Sequence, residues 1–233
     1  MYHNIGSPPR GARLRGLYVT ARMFRFQMFY LKAAGFKVVS LKEIAGFASG
    51  KVEVPGRLIA LTFDDGYMDF YENAWPVLKK YGYPSTVFLV PGQAGGENAW
   101  DSEKLGVSKK LLDWEKVREL AAAGVEFGAH TNTHPHLTSI PASQMKQEVA
   151  GSKKAIEEKT GRRVDFFCYP YGDYDYDVAL EVKNAGFLGA TSVERGFVMP
   201  GDDVFTLKRV PVRLNTWPLS FIYKLHTDYE TGK

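Results

Sequence analysis

Hydrophobic and polar positions along this chain keep two rhythms in turn. Residues 86–90, Thr-Val-Phe-Leu-Val, are an uninterrupted apolar run, the pattern of a strand buried on both faces. Comparable β-rich runs occupy 17–20, 36–41, 58–63, 125–129, 164–169, 188–193 and 205–210. Between them apolar residues recur with helical spacing. The spacing predicts helices over 21–34 (Met23, Phe24, Gln27, Met28, Tyr30, Leu31), 41–49, 69–80 (Phe70, Ala74, Val77, Leu78) and 111–123 (Leu111, Leu112, Trp114, Val117, Leu120). It predicts three more over 143–160 (Met145, Val149, Ile156), 175–185 and 217–228. Thr20 is placed to cap the first helix, and Gly35, Gly82, Gly124, Gly161 and Gly186 close helices just ahead of the next strand. Residues 1–16 read as a loop, Pro55 and Gly56 as a turn, and 91–108 as a long glycine-rich loop able to line a site.

Strand and helix alternate from end to end, with no fixed-period repeat and no low-complexity linker. Such alternation implies parallel strands joined by right-handed crossovers, in a barrel or an open doubly wound sheet. No glycine-rich phosphate loop of the dinucleotide type is present, so the barrel is the expected architecture, as a single domain over 1–233.

Composition changes this little. The 233 residues are 45% hydrophobic and 24% charged, ordinary for a globular protein. The net charge of +4 is scattered, and the Arg10, Arg13, Arg15, Arg22, Arg25 series reads as a solvated face rather than a nucleic-acid footprint. Cys168 is the one cysteine, which excludes an internal disulfide. No apolar run is long enough to span a bilayer, and no charged-then-apolar leader opens the chain.

Candidate chemistry sits at three strand ends: Asp64-Asp65-Gly66, His130-Thr131-Asn132-Thr133-His134 and Tyr169-Pro170-Tyr171-Gly172. In a parallel barrel all strand C-termini open on one face, so the three meet there. Two imidazoles four residues apart, with a carboxylate, make a facial set for zinc or a similar divalent ion. Adjacent carboxylates repel, and a metal resolves this: one aspartate ligates it while the other accepts a proton from water. His136 reads as a loop residue near the site. Trp100, Trp217, Tyr67 and Tyr171 read first as packing residues, with stacking on sugar rings as the second reading.

The Thr62-Phe63-Asp64-Asp65-Gly66, His130-Thr131-x-x-His134 and Tyr169-Pro170-Tyr171-Gly172 series, with the early Tyr2-His3, resembles the polysaccharide deacetylase family, carbohydrate esterase family 4. The resemblance runs from Tyr2 to about Val212 and is closest to deacetylases of exopolysaccharides such as poly-N-acetylglucosamine. It implies a deformed (β/α)7 barrel and a divalent metal, zinc most often, with cobalt or nickel as alternatives. It implies hydrolysis of N-acetyl groups on an N-acetylglucosamine polysaccharide, with release of acetate. By position, Asp64 matches the base, Asp65, His130 and His134 the metal ligands, and Tyr171 the backbone N–H that supports the oxyanion. It implies a cell-envelope or extracellular setting; the missing leader leaves a cytoplasmic one as the alternative.

Two departures stand out. Cys168 occupies the place of the family arginine that orients the base, and Arg209 is the expected substitute. The family's late histidine, a general acid, has only His226 as a counterpart, in what reads as an ordinary helix. Two other readings fit the same residues: an amidohydrolase or esterase acting on a small acylated molecule, and a carbohydrate-binding relative with a weakened site. Binding alone needs no general base, so the intact Asp64 argues against the latter.

Overall fold

A computed structural model describes residues 1–51 and 56–227. The first strands are short, β1 at Asn4–Ile5 and β2 at Tyr18–Val19. Helix α1 follows over Ala21–Ala33, then β3 (Lys37–Val38), α2 (Leu41–Ala48), β4 (Leu58–Ile59) and β5 (Thr62–Phe63). A π-helical turn at Phe70–Ala74 runs into α3 (Trp75–Tyr81), and β6 is Thr86–Leu89. A single-turn helix α4 (Ser102–Leu105) breaks the next loop before α5 (Trp114–Ala122), β7 (Glu126–Ala129) and α6 (Ala142–Thr160). The described chain closes with β8 (Phe166–Cys168), α7 (Tyr176–Asn184), β9 (Gly189–Arg195), β10 (Leu207–Arg209) and α8 (Pro218–His226).

Six strands form one parallel sheet in the order β10-β9-β8-β7-β6-β5. The sheet curls until its two edge strands face each other, and the gap is closed by the first residues of the chain. Tyr2 N–H donates to Thr62 O (2.9 Å) and receives Asp64 N–H on its own carbonyl (3.0 Å). The Met1 nitrogen donates to Val210 O at 3.0 Å, and Val212 N–H donates to Met1 O at 3.0 Å. The result is the expected deformed (β/α)7 barrel, with residues 1–2 as its last stave. Below this seam an apolar cavity of about 370 Å³ opens between Tyr2, Leu58, Leu61, Val198, Leu207 and Leu225.

The β6 run is buried at every position, as both faces are covered: the barrel interior on one side, helices on the other. Capping sets several helix starts. Thr20 accepts from Met23 N–H, as predicted. Ser40 and Glu43 form a reciprocal capping box on α2. Asp113 accepts from Lys116 N–H, so α5 begins at Trp114 and not at 111. Leu111 and Leu112 are buried as expected, but in an extended segment that pairs with the Gly66–Met68 turn. The 58–63 run, expected as one strand, is two: Leu58–Ile59 pairs with β3, whereas Thr62–Phe63 pairs with β6. The turn expected at Pro55, and the predicted end of the last helix at 228, lie outside the described residues. No described helix is long and apolar enough to cross a membrane.

Candidate metal centre and its carboxylate base

Asp64 and Asp65 follow β5 directly, and the chain turns between them. Asp65 takes a left-handed φ of 72° and Gly66 one of 68°, so two successive carboxylates reach one side instead of opposite faces. A Cβ on Gly66 would lie 2.7 Å from the Leu89 side chain, so the turn also needs glycine for space. Both aspartates are buried, at 3% and 6% exposure.

Their partners differ. Asp65 Oδ1 lies 3.4 Å from His130 Nε2 and 3.5 Å from His134 Nε2, and the two Nε2 atoms are 3.2 Å apart. His130 Nδ1 is 2.7 Å from the Cys168 carbonyl. A carbonyl only accepts, so Nδ1 carries the proton and Nε2 presents its lone pair to the cluster. Converging lone pairs and a carboxylate repel one another unless a cation lies among them, and this donor set suits a divalent ion. Burial works against a charge on His130. Even so, the Cys168 and Asp65 side chains hold its pKa well above the usual histidine value. Burial would also raise Asp65, but its bonds to His130 and His134 hold it well below the ordinary aspartate range. Tyr67, itself buried, bonds the Asp65 carboxylate; burial first, then that carboxylate, keeps its phenol protonated. Its ring is therefore not free to stack on a sugar, and of its two readings packing is the one that holds.

Asp64 faces a different group. Arg209 Nη1 and Nη2 donate to its two oxygens at 2.7 and 2.9 Å, a two-pronged grip. The Arg209 fork is itself aimed by Ser192 O (2.8 Å from Nε) and Thr62 Oγ1 (3.3 Å from Nη1), and Nη2 lies 3.3 Å from Cys168 Sγ. Arg209 thus reaches across from β10 to the space that Cys168 is too short to fill. Burial raises the Asp64 pKa, but the Arg209 charge and the nearby His3 outweigh it, and the net shift is downward.

His3, noted in the sequence only as part of the early Tyr2-His3 pair, stands beside the base. Its Nε2 lies 3.8 Å from Asp64 Oδ2, and 18% of its side chain remains exposed. Burial lowers its pKa, with Asp64 and Asp65 pulling the other way. The sequence offered the Tyr2-His3 match but no role for it, since the stretch has no periodicity. His226, by contrast, bonds the Tyr30 hydroxyl at 2.8 Å and packs on Phe36, not on the cluster.

Tyr171 adjoins the cluster: its ring meets His134 edge-on at 4.7 Å and stacks on His136 at 4.0 Å. His136 is near the site but is not part of the ligand cluster, as expected. Trp100, from the 91–108 loop, stacks on His134 at 4.7 Å, while Trp217 is 64% exposed. Non-glycine residues with left-handed backbone among the described ones are Asp65, Thr131, His134 and Tyr171, and all belong to this site. Such strain gathers where a structure is built to present chemistry.

Residues 51–190 match the family model described as polysaccharide deacetylase. The chain is 29% identical over 212 residues to YxkH of Bacillus subtilis, covering 91% of this chain and 70% of that one. It is 28% identical over 206 residues to the poly-beta-1,6-N-acetyl-D-glucosamine N-deacetylase of Staphylococcus aureus, covering 84% of this chain and 68% of that one. Among solved structures, IcaB from Ammonifex degensii superposes with a TM-score of 0.81 at 25% identity, covering 96% of this chain and 94% of that one.

Proposed function

The chain belongs to the polysaccharide deacetylase family, and we propose that it hydrolyses N-acetyl groups on a poly-N-acetylglucosamine-type polysaccharide, releasing acetate and leaving free amines. In this reading residues 1–233 act as one catalytic domain. The supporting observation is the division between neighbouring carboxylates: Asp65 faces the Nε2 atoms of two imidazoles, whereas Asp64 is gripped by Arg209.

Asp65, His130 and His134 would hold a divalent cation, zinc in preference to cobalt or nickel for this nitrogen-rich set. When bound, it polarises the acetyl carbonyl and makes an attacking water more acidic. Asp64 takes that proton. Arg209 keeps Asp64 ionised at neutral pH and fixes its direction, so that a base is ready whenever substrate arrives. The Tyr171 backbone N–H donates to the oxyanion as the carbonyl carbon becomes tetrahedral, a contact worth a few kcal/mol in such sites. The proton that Asp64 takes is the one the departing amine needs; His3, partly exposed with its Nε2 3.8 Å from Asp64 Oδ2, is placed to relay it. The substrate places the enzyme at the cell envelope or outside the cell.

The test is acetate release from N-acetylglucosamine oligomers in β-1,6 and β-1,4 linkage, before and after chelation, with Asp64→Asn alongside. The expected outcome is activity on the β-1,6 series that chelation abolishes and a divalent metal restores, with Asp64→Asn reduced by about 10²- to 10⁴-fold. Full activity after chelation, or in Asp64→Asn, overturns the mechanism. Activity confined to small acylated molecules overturns the substrate.

A further inference from the structure

His130 and His134 are joined by a loop that regular structure does not support. Thr131 and His134 take φ values of 60° and 67°, a region that residues with a side chain disfavour. Left to itself this stretch would relax and carry His134 away from Asp65. The structure supplies three restraints. Thr131 Oγ1 accepts from His134 N–H at 2.9 Å, which tightens the loop from within. Gly92 N–H donates to Asn132 O at 2.9 Å, and a Cβ at Gly92 would stand 2.4 Å from that oxygen, so the loop is pressed on one side.

The third restraint is Glu148, on α6. Its Oε2 accepts from the Asn132 and Thr133 backbone N–H groups at 2.7 and 2.8 Å, and its Oε1 accepts from Thr133 Oγ1 at 2.6 Å. All three donors lie between the two histidines. Glu148 is 6% exposed and stands in the buried stripe of α6 with Met145, Val149, Ser152 and Ile156, where an apolar residue would otherwise pack. A buried carboxylate is costly unless its lone pairs are used. Here they are used entirely on the ligand loop, and none of the three contacts is needed to hold α6 itself, whose backbone bonds are its own.

We propose that Glu148 is a positioning residue for the metal centre: it holds the 130–134 loop so that both Nε2 atoms face Asp65 before a cation arrives. The inference rests on reading Asp65, His130 and His134 as that centre. Glu148 touches neither the cation nor the substrate. Its effect would be felt as affinity, because a preformed cluster binds without first reordering its ligands. Outer partners of this kind commonly change metal affinity by 10- to 100-fold.

The test is titration of the metal-free full chain with Co²⁺, followed by visible absorption and calorimetry, for the parent protein, Glu148→Gln and Ser152→Ala. Glu148→Gln keeps the volume but removes the charge, and its single amide oxygen cannot serve all three donors that the carboxylate accepts. Ser152→Ala alters a buried residue of the same helix whose hydroxyl bonds only Val149 O. The expected result is Co²⁺ affinity weaker by about 10- to 100-fold in Glu148→Gln, with altered absorption bands, and unchanged in Ser152→Ala. Equal affinity in the parent and Glu148→Gln overturns the proposal, as does an equal loss in Ser152→Ala. Absence of Co²⁺ binding by the parent overturns the metal reading instead. Should Glu148→Gln fail to fold, Thr133→Val, which deletes one of the three bonds, decides: a several-fold loss of affinity supports the proposal and no loss overturns it.

Discussion

The barrel has a wall and a seam, and they are built on different principles. In the wall, β6 and β7 pair along four consecutive registers from Thr86↔Glu126 to Leu89↔Ala129, and Gly128 lies so close under Phe88 that a Cβ there would sit 2.4 Å from the ring. Cohesion in the wall comes from the ladder and from close packing. At the seam β5 and β10 do not pair; residues 1–2 bridge them with backbone bonds, and Arg209 crosses to Asp64 and Thr62. Cohesion there depends on a buried charge pair. The wall delivers His130 on a rigid strand end, whereas the seam assembles Asp64, His3 and Arg209 from three distant stretches of sequence. On the proposed reading, metal binding belongs mainly to the wall and proton transfer to the seam.

Removing Arg209 should have the largest effect. Arg209→Ala leaves Asp64 buried without its cation, a change that typically costs about 3–5 kcal/mol; chemical denaturation measures it. The same variant should move the acid limb of the kcat–pH profile upward, because Asp64 loses the charge that lowers its pKa. An unmoved limb would break the link between seam and proton transfer. His3→Gln comes next: a fall in kcat of about 10²- to 10⁴-fold, with Co²⁺ affinity kept. Wild-type turnover in that variant would return the leaving-group proton to Asp64. In the wall, Gly128→Ala should cost about 1–3 kcal/mol of stability by overpacking while metal affinity and the pH profile stay in place. The smallest effect is on acid stability. The folded-state pKa of Asp64 is depressed below the ordinary value near 3.9, so its ionised form contributes stability above that pH and loses it as the pH falls through the folded value. Urea unfolding from about pH 5 down to pH 2 should show this decline in the parent and a shallower one in Arg209→Ala.

The same division explains what could be read in the sequence. The wall announces itself: 86–90 and 125–129 are β-rich runs followed by Pro91 and His130, and their strands came out within a residue or so of the pattern. The clustered Asp65, His130 and His134 were legible because their segments follow such runs. Arg209 could be suspected only through the gap left by Cys168. The seam was otherwise hidden, since a two-residue strand at Asn4–Ile5 and a bridge at Tyr2 are too short to carry a period. The 69–80 helix was found, but not its π turn at Phe70–Ala74, because a pattern of apolar faces does not distinguish one hydrogen-bond spacing from another. The two readings of Tyr67, packing and platform, could not be separated in the sequence, because a tyrosine beside such a turn looks the same whether it faces outward or, as here, the Asp65 carboxylate.

The left-handed backbone at Asp65, Thr131, His134 and Tyr171 has a consequence for how this protein tolerates substitution. At such positions glycine is the replacement that best keeps the course of the chain, whereas valine or isoleucine would break it. At Asp65 and His134 glycine would preserve the turn and delete the ligand. At Tyr171, where the backbone N–H is the group assigned to the reaction, glycine would delete only the ring. The map of harmful changes around this centre should therefore be inverted relative to an ordinary loop, with small flexible residues mild and stiff branched ones severe, and Tyr171 is where side chain and main chain can be separated by one codon.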